Sequence, residues 1–150
     1  MGLFGRKKFK PLADYSDEWA VMRGDYNDNP LFVRIRTSLS DAVGHPDYPV
    51  QVGVAVPLTH PDENGLPTSV ESEQLTGIED ALVHSLTGLA ELAAVLTTSG
   101  MREFVFYAPE AAPDVICERV TGLSTSCASH TLQLSIQHDP SWNVFTGFAQ

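Results

Sequence analysis

The stretch Val50-Gln51-Val52-Gly53-Val54-Ala55-Val56-Pro57-Leu58, followed after a loop by residues 68–89, decides the fold. The valines and Leu58 share one parity and Gln51, Gly53, Ala55 and Pro57 the other, which is the period of a strand with one buried face. Residues 59–67 are rich in Pro, Asp, Asn and Gly, and they lead into Thr68-x-x-Glu71, the pattern of a capping box that opens a helix. Leu75, Ile78, Leu82, Leu86 and Leu89 then recur at three- and four-residue spacing and form one apolar helical face, with Glu71, Glu73, Glu79 and Asp80 largely off it.

Upstream, residues 19–23 and 31–36 are strand-like and flank the turn-rich Gly24-Asp25-Tyr26-Asn27-Asp28-Asn29-Pro30, so a hairpin with a longer loop is predicted. Downstream, residues 92–97 and 103–107 form a second antiparallel pair around Thr98-Ser99-Gly100-Met101-Arg102. Pro109 and Pro113 precede Val115, Ile116, Arg119, Val120 and Leu123, the spacing of a shorter second helix. Leu132, Leu134 and Ile136 alternate with polar residues as a last strand, which runs into Asp139-Pro140-Ser141-Trp142. There Asp139 suits a helix cap, Pro140 the first helical position, and Trp142 with Phe145 would press a short terminal helix onto the body.

The order is therefore β-β-β-α-β-β-α-β plus a short C-terminal helix. It predicts an α+β fold, a mainly antiparallel sheet with two helices on one face in a ferredoxin-like arrangement with an added strand or hairpin. A parallel dinucleotide-binding sheet would need regular β-α alternation, which is missing. A length of 150 residues suits a single domain, placed at residues 13–150.

The formal net charge of −10 hides an asymmetry. Four of the nine Lys and Arg residues fall in residues 6–10, leaving five basic against 19 acidic groups in residues 11–150, a net of −14. Such a body repels phosphate backbones, so direct nucleic-acid binding is not expected and a basic protein partner is. Residues 1–12 read as a flexible basic tail, with contact to a membrane surface or a partner through Leu3, Phe4 and the basic cluster as the alternative. Neither a secretory signal nor a membrane span is expected, because no sufficiently long apolar run occurs. Cys117 and Cys127 are too few to staple the domain and suit a reducing compartment, so a cytoplasmic setting is the expectation.

No nucleophile elbow, phosphate loop or zincin motif is present, and the chain reads as non-enzymatic, with no cofactor and no metal. Cys127-x-x-His130 lacks the further ligands that zinc requires, and the expected roles are a buried helix thiol at Cys117 and a loop thiol at Cys127. His138, beside Asp139, reads as a hydrogen-bonded strand-end histidine. Two surfaces remain for function. Glu71, Glu73 and Asp80 offer an acidic helix face to a basic partner. Arg34 and Arg36 alternate with Val33 and Ile35 and should point away from the core. If the third strand paired with theirs, Gly53 and Ala55 would leave a shallow groove where Arg23 joins them to hold an anionic peptide or small ligand. Pairing of these arginines with carboxylates on an exposed sheet face is the structural alternative.

Several segments together resemble the bacterial domain of unknown function 695: Trp19, Val56-Pro57-Leu58, Asn64-Gly65-Leu66-Pro67, Leu75-x-x-Ile78-Glu79-Asp80-x-Leu82, residues 100–107, and Asp139-Pro140-x-Trp142-x-x-Phe145. Members often carry Tyr where Phe145 stands. The Asp-Pro-x-Trp ending, the acidic balance and the expected fold are also similar to the regulator of ribonuclease E activity B, an acidic protein that binds and inhibits a ribonuclease. That likeness implies a regulator that masks a ribonuclease or another basic enzyme. A likeness of fold and charge does not itself carry function.

Overall fold

A computed structural model describes residues 8–148. Its strands are β1 (Trp19–Tyr26), β2 (Asn29–Arg36), β3 (Val50–Pro57), β4 (Glu91–Thr98), β5 (Met101–Ala108) and β6 (Gln133–His138), and its α-helices are α1 (Ser69–Ser85), α2 (Pro113–Ser126) and α3 (Asn143–Phe148). The fold is α+β: one six-stranded sheet in the order β1-β2-β4-β5-β3-β6, with every neighbouring pair antiparallel. Helix α1 carries the chain from β3 over β5 to β4, and α2 carries it from β5 over β3 to β6, so each crossover leaves a gap that a later or earlier strand fills. The β1–β2 hairpin extends the sheet beyond β4.

Both hairpins are tighter than their sequences suggest. Asn27 and Asp28 adopt φ of 49° and 66°, and Ser99 and Gly100 adopt 53° and 78°, so each turn uses only two residues. Left-handed residues at both central positions match the twist of the flanking strands, and Asn, Asp and Gly tolerate that region best. The expected longer loop over residues 24–30 is therefore mostly strand.

The expected helical face meets the expected strand face. Val50, Val52, Val54 and Val56 pack with Leu75, Ile78 and Leu82 of α1 and Leu86 at its C-terminal cap, Ile116 and Val120 of α2, and Phe104 and Phe106 of β5. The opposite sheet face is covered as well. A second core joins Val33, Ile35, Ala93, Ala94, Val105 and Tyr107 to Leu12, Tyr15, Leu39, Ala42, Trp142 and Phe145. A bulge between Leu92 and Ala94 turns both Ala93 and Ala94 into this layer. The buried run Phe104-Val105-Phe106-Tyr107-Ala108 thus faces apolar neighbours on both sides.

Packing also begins before the expected boundary at residue 13. Leu12 is wholly buried, His45 Nε2 lies 2.8 Å from the Lys10 carbonyl oxygen, and the Phe9 and His45 rings are 4.7 Å apart. The rest of the expected basic tail, residues 1–7, lies outside the described residues.

The C-terminal turn is a lock, with one change from expectation. Pro140 sits in a turn closed by the Trp142 amide donating to the Asp139 carbonyl at 3.0 Å, and α3 starts only at Asn143. The Asp139 carboxylate caps it by accepting from the Asn143 and Val144 amides at 2.8 and 3.0 Å. Tyr107 donates its hydroxyl to the same carboxylate at 2.8 Å and accepts from the Phe145 amide at 3.2 Å. Burial first, then the bond to Asp139, pushes the Tyr107 phenol well above its usual range, so it remains a neutral donor. Trp142, at φ 58°, donates its indole N–H to the Tyr48 carbonyl at 3.0 Å.

Candidate functional site

Cross-strand register decides where the arginines go. Arg36 pairs with Trp19, Arg34 with Val21 and Phe32 with Arg23, so all six side chains share one face of the β1–β2 hairpin. It is the face that carries α1 and α2, because Val33 and Ile35 point into the second core. The condition set for the expected groove fails: the neighbours of β2 are β1 and β4, so Gly53 and Ala55 lie elsewhere. Gly53 instead makes room for Glu103 and Ser135, whose side-chain oxygens would stand 2.7 and 2.9 Å from a Cβ there.

A groove nevertheless forms where the hairpin projects past the C-terminal half of α1. It encloses about 600 Å³ and presents Trp19, Arg34 and Arg36 together with Asp17, Asp80 and His84. Arg34 makes a two-pronged contact with Glu79, Nη1 to Oε2 at 3.1 Å and Nη2 to Oε1, and its guanidinium lies 5.2 Å from the centre of the Trp19 ring. Arg36 is buried and donates to the Tyr15 and Ser16 carbonyls at 2.6 and 3.1 Å and to Glu91 at 3.3 Å. The expectation that both arginines point away from the core is thus corrected. They lie on the core-bearing face at its margin, where Glu79 of α1 meets Arg34 and Glu91 of β4 meets Arg36.

Asp17 accepts the Trp19 indole N–H at 2.6 Å and fixes the ring as one wall. Neither Asp17 nor Asp80 pairs with a cation among the described residues. Two guanidiniums, each already matched, therefore face four carboxylates in this groove. Arg23 stands on the open part of the hairpin, 5.4 Å from the centre of the Phe32 ring, beside the exposed Val21. Arg102 donates to Thr97 at 2.9 Å, and burial, then repulsion from Arg34, lowers its pKa against the opposing pull of Glu79.

The acidic helix face loses one member. Glu73 and Asp80 are exposed, but Glu71 is buried. The capping box forms only by half: Thr68 accepts from the Glu71 amide at 3.3 Å, while the Glu71 carboxylate turns away to the loop before it. It accepts from the Thr59 amide and hydroxyl at 2.5 and 2.9 Å, from the His60 amide at 3.1 Å and from His130 Nε2 at 2.7 Å. Burial pushes this carboxyl upward, but the hydrogen bonds from Thr59, His130 and His60 outweigh it and hold the pKa at about 2.

Other expectations resolve plainly. Cys117 is exposed rather than buried, and Cys127 is half-buried in the loop after α2. His138 is exposed, with Nε2 3.5 Å from Glu110 rather than bonded to Asp139. Among the described residues no group of three or more His, Cys, Asp or Glu could hold a metal ion, and no helix is long and apolar enough to cross a membrane. The groove members missed in the sequence are Asp17, His84 and Glu91. Glu79 carried a signal: four residues after Leu75 and three before Leu82, it borders the apolar stripe, which places its carboxylate beside the sheet.

A family of unknown function, DUF695, matches residues 17–149, and the chain belongs to it. No curated protein and no solved structure matches the chain.

Proposed function

We propose that this DUF695 domain is a protein-interaction module whose docking site is the groove between α1 and the β1–β2 hairpin, and that it receives basic side chains of a protein partner. One observation carries the reading: Arg34 and Arg36 are already matched by Glu79 and Glu91, while Asp17 and Asp80, which line the same groove as Trp19, have no ion-pair partner among the described residues. An aromatic wall flanked by unmatched carboxylates suits a lysine or arginine. Exposed Glu73 on α1 extends the same negative field. A nucleic-acid enzyme with a basic surface, such as a ribonuclease, is a partner of fitting chemistry. Inhibition of such an enzyme is the regulatory form of the proposal, within a cytoplasmic setting.

The alternative, an anionic peptide or small ligand on Arg23, Arg34 and Arg36, is the weaker reading, because two of those guanidiniums are committed to carboxylates and backbone carbonyls. Titration of isotope-labelled protein with short arginine-rich and aspartate-rich peptides separates the two. The proposal expects the arginine-rich peptide to shift the Trp19 indole and Asp80 signals, with a salt-sensitive affinity that falls several-fold in Asp17→Asn plus Asp80→Asn. Binding of the acidic peptide in the groove, or an undiminished affinity in the double variant, overturns it.

A further inference from the structure

At the opposite end of α1 from the groove, the loop after α2 holds a second arrangement. His130 is buried with its ring between two oxygens: Nε2 lies 2.7 Å from Glu71 Oε2, and Nδ1 lies 2.9 Å from Ser129 Oγ. Glu71 and His130 stand 59 residues apart, so no local motif announces the contact. The Glu71 carboxylate is ionised and can only accept, so the hydrogen it receives from the ring sits on Nε2. In the neutral ring the free lone pair is then on Nδ1, facing the Ser129 hydroxyl.

Ser129 is exposed, and its hydroxyl opens on a surface pocket of about 340 Å³ walled by Leu58, Thr59, Ser124, Cys127 and Thr131. Ala128 and Thr131, on either side of the Ser129-His130 pair, both line this pocket. A hydroxyl on a base, and that base fixed by a buried carboxylate, are the nucleophile, base and orienting group of acyl transfer.

We infer that Ser129 is a base-activated nucleophile, with His130 as general base and Glu71 as its positioning residue, and that the pocket takes the acyl group of an activated ester. Ser129 Oγ forms a bond to the ester carbonyl carbon as its proton passes to His130 Nδ1. The carbon–oxygen bond to the leaving group then breaks, and the departing oxygen takes that proton. Water, deprotonated by the same nitrogen, attacks the acyl-serine, releases the carboxylic acid and restores the hydroxyl. The imidazolium formed in each half is opposed by the Glu71 carboxylate, which is already in contact with its other nitrogen. Activated esters are the fitting class because their leaving groups need little help, and the pocket is open.

The experiment uses the full chain with p-nitrophenyl acetate, followed by rapid quench and peptide mass spectrometry. The inference expects a burst of p-nitrophenolate approaching one equivalent, an acetyl group on Ser129, and a rate lower by on the order of 100-fold in Ser129→Ala. Because Ser129 is exposed, that variant should keep the parent's melting transition, and labelling by an alkyl fluorophosphonate gives a second readout on the unmodified chain. An adduct on any other residue, Cys127 included, or a Ser129→Ala variant that hydrolyses the ester at the parental rate, overturns it. Neither outcome touches the groove, which is read by the peptide titration alone.

Discussion

Tyr107 and Trp142 stack in the second core with ring centroids 3.9 Å apart and planes 10° from parallel, so β5 is the floor on which the C-terminal turn rests. Phe145 completes the group with its ring edge-on to Trp142 at 5.7 Å. Trp142→Ala should therefore cost about 3–5 kcal/mol, as a large aromatic leaves a well-packed site. Tyr107→Phe keeps the stack but removes the hydroxyl between Asp139 and the Phe145 amide, at a cost of about 1–2 kcal/mol. Urea denaturation of the two variants and the double variant measures both, and the two effects should not add, since the residues touch.

Glu71 makes stability depend on acid. Its pKa falls from 4.5 to about 2 on folding, so between those values the unfolded chain binds more protons than the folded one. The contribution, on the order of 3 kcal/mol, is fully present above pH 4.5 and is lost as pH falls toward 2. Glu71→Gln should lower stability at neutral pH and flatten this limb, which melting curves between pH 2 and 7 would show, on the order of that difference.

Gly65 should not tolerate a side chain. Its φ is +77°, and a Cβ there would meet the Gly100 amide nitrogen at 3.0 Å and Ser99 Cα at 3.1 Å, backbone atoms of the β4–β5 turn. The loop is held against that turn by the Gly100 amide donating to the Gly65 carbonyl at 2.9 Å. Gly65→Ala should destabilise by about 2–3 kcal/mol, combining left-handed strain with a contact that cannot relax. Chemical denaturation checks it, and Gly88→Ala, also at positive φ but with open space around it, should cost less.

The Arg34–Glu79 contact should matter more for the groove than for stability. Arg34 is more than a third exposed, so Glu79→Gln should cost no more than about 1 kcal/mol. The same change frees a guanidinium beside Trp19, so the variant should lose affinity for an arginine-rich peptide and gain it for an aspartate-rich one. Calorimetric titration with both peptides measures the exchange.

Elements that rest on local periodicity were legible. The alternation through Val50, Val52, Val54 and Val56 and the leucine spacing of α1 each predict their element and its buried face, because one neighbouring layer explains each pattern. The run from Leu132 to Ile136 predicts its strand, but at the sheet edge Leu134 is only half-buried and Ile136 is exposed. The second core was not legible as such. Its sign is the unbroken apolar run at Phe104-Val105-Phe106-Tyr107, which a helix layer on one face alone does not require. Alternation also placed Arg34 and Arg36 opposite Val33 and Ile35 correctly, but not on the right side of the sheet. With cores on both faces, being opposite one apolar residue no longer means facing solvent. Glu71 misled for a related reason: the capping pattern is local, whereas the donors that hold its carboxylate come from Thr59, His60 and His130, which only the fold brings together.

The strand order carries a consequence for assembly in time. Strand β3 sits between β5 and β6, so both of its hydrogen-bonding edges stay open until chain far downstream arrives. Until then its row of valines is exposed as an unpaired apolar strand, a template for pairing with another copy. The layer beneath closes later still, when Trp142 reaches Tyr107. A chain halted before that tryptophan would carry a finished helical face and a reverse side covered only in part, by Leu12, Tyr15, Leu39 and Ala42, with Tyr107 lacking its stacking partner.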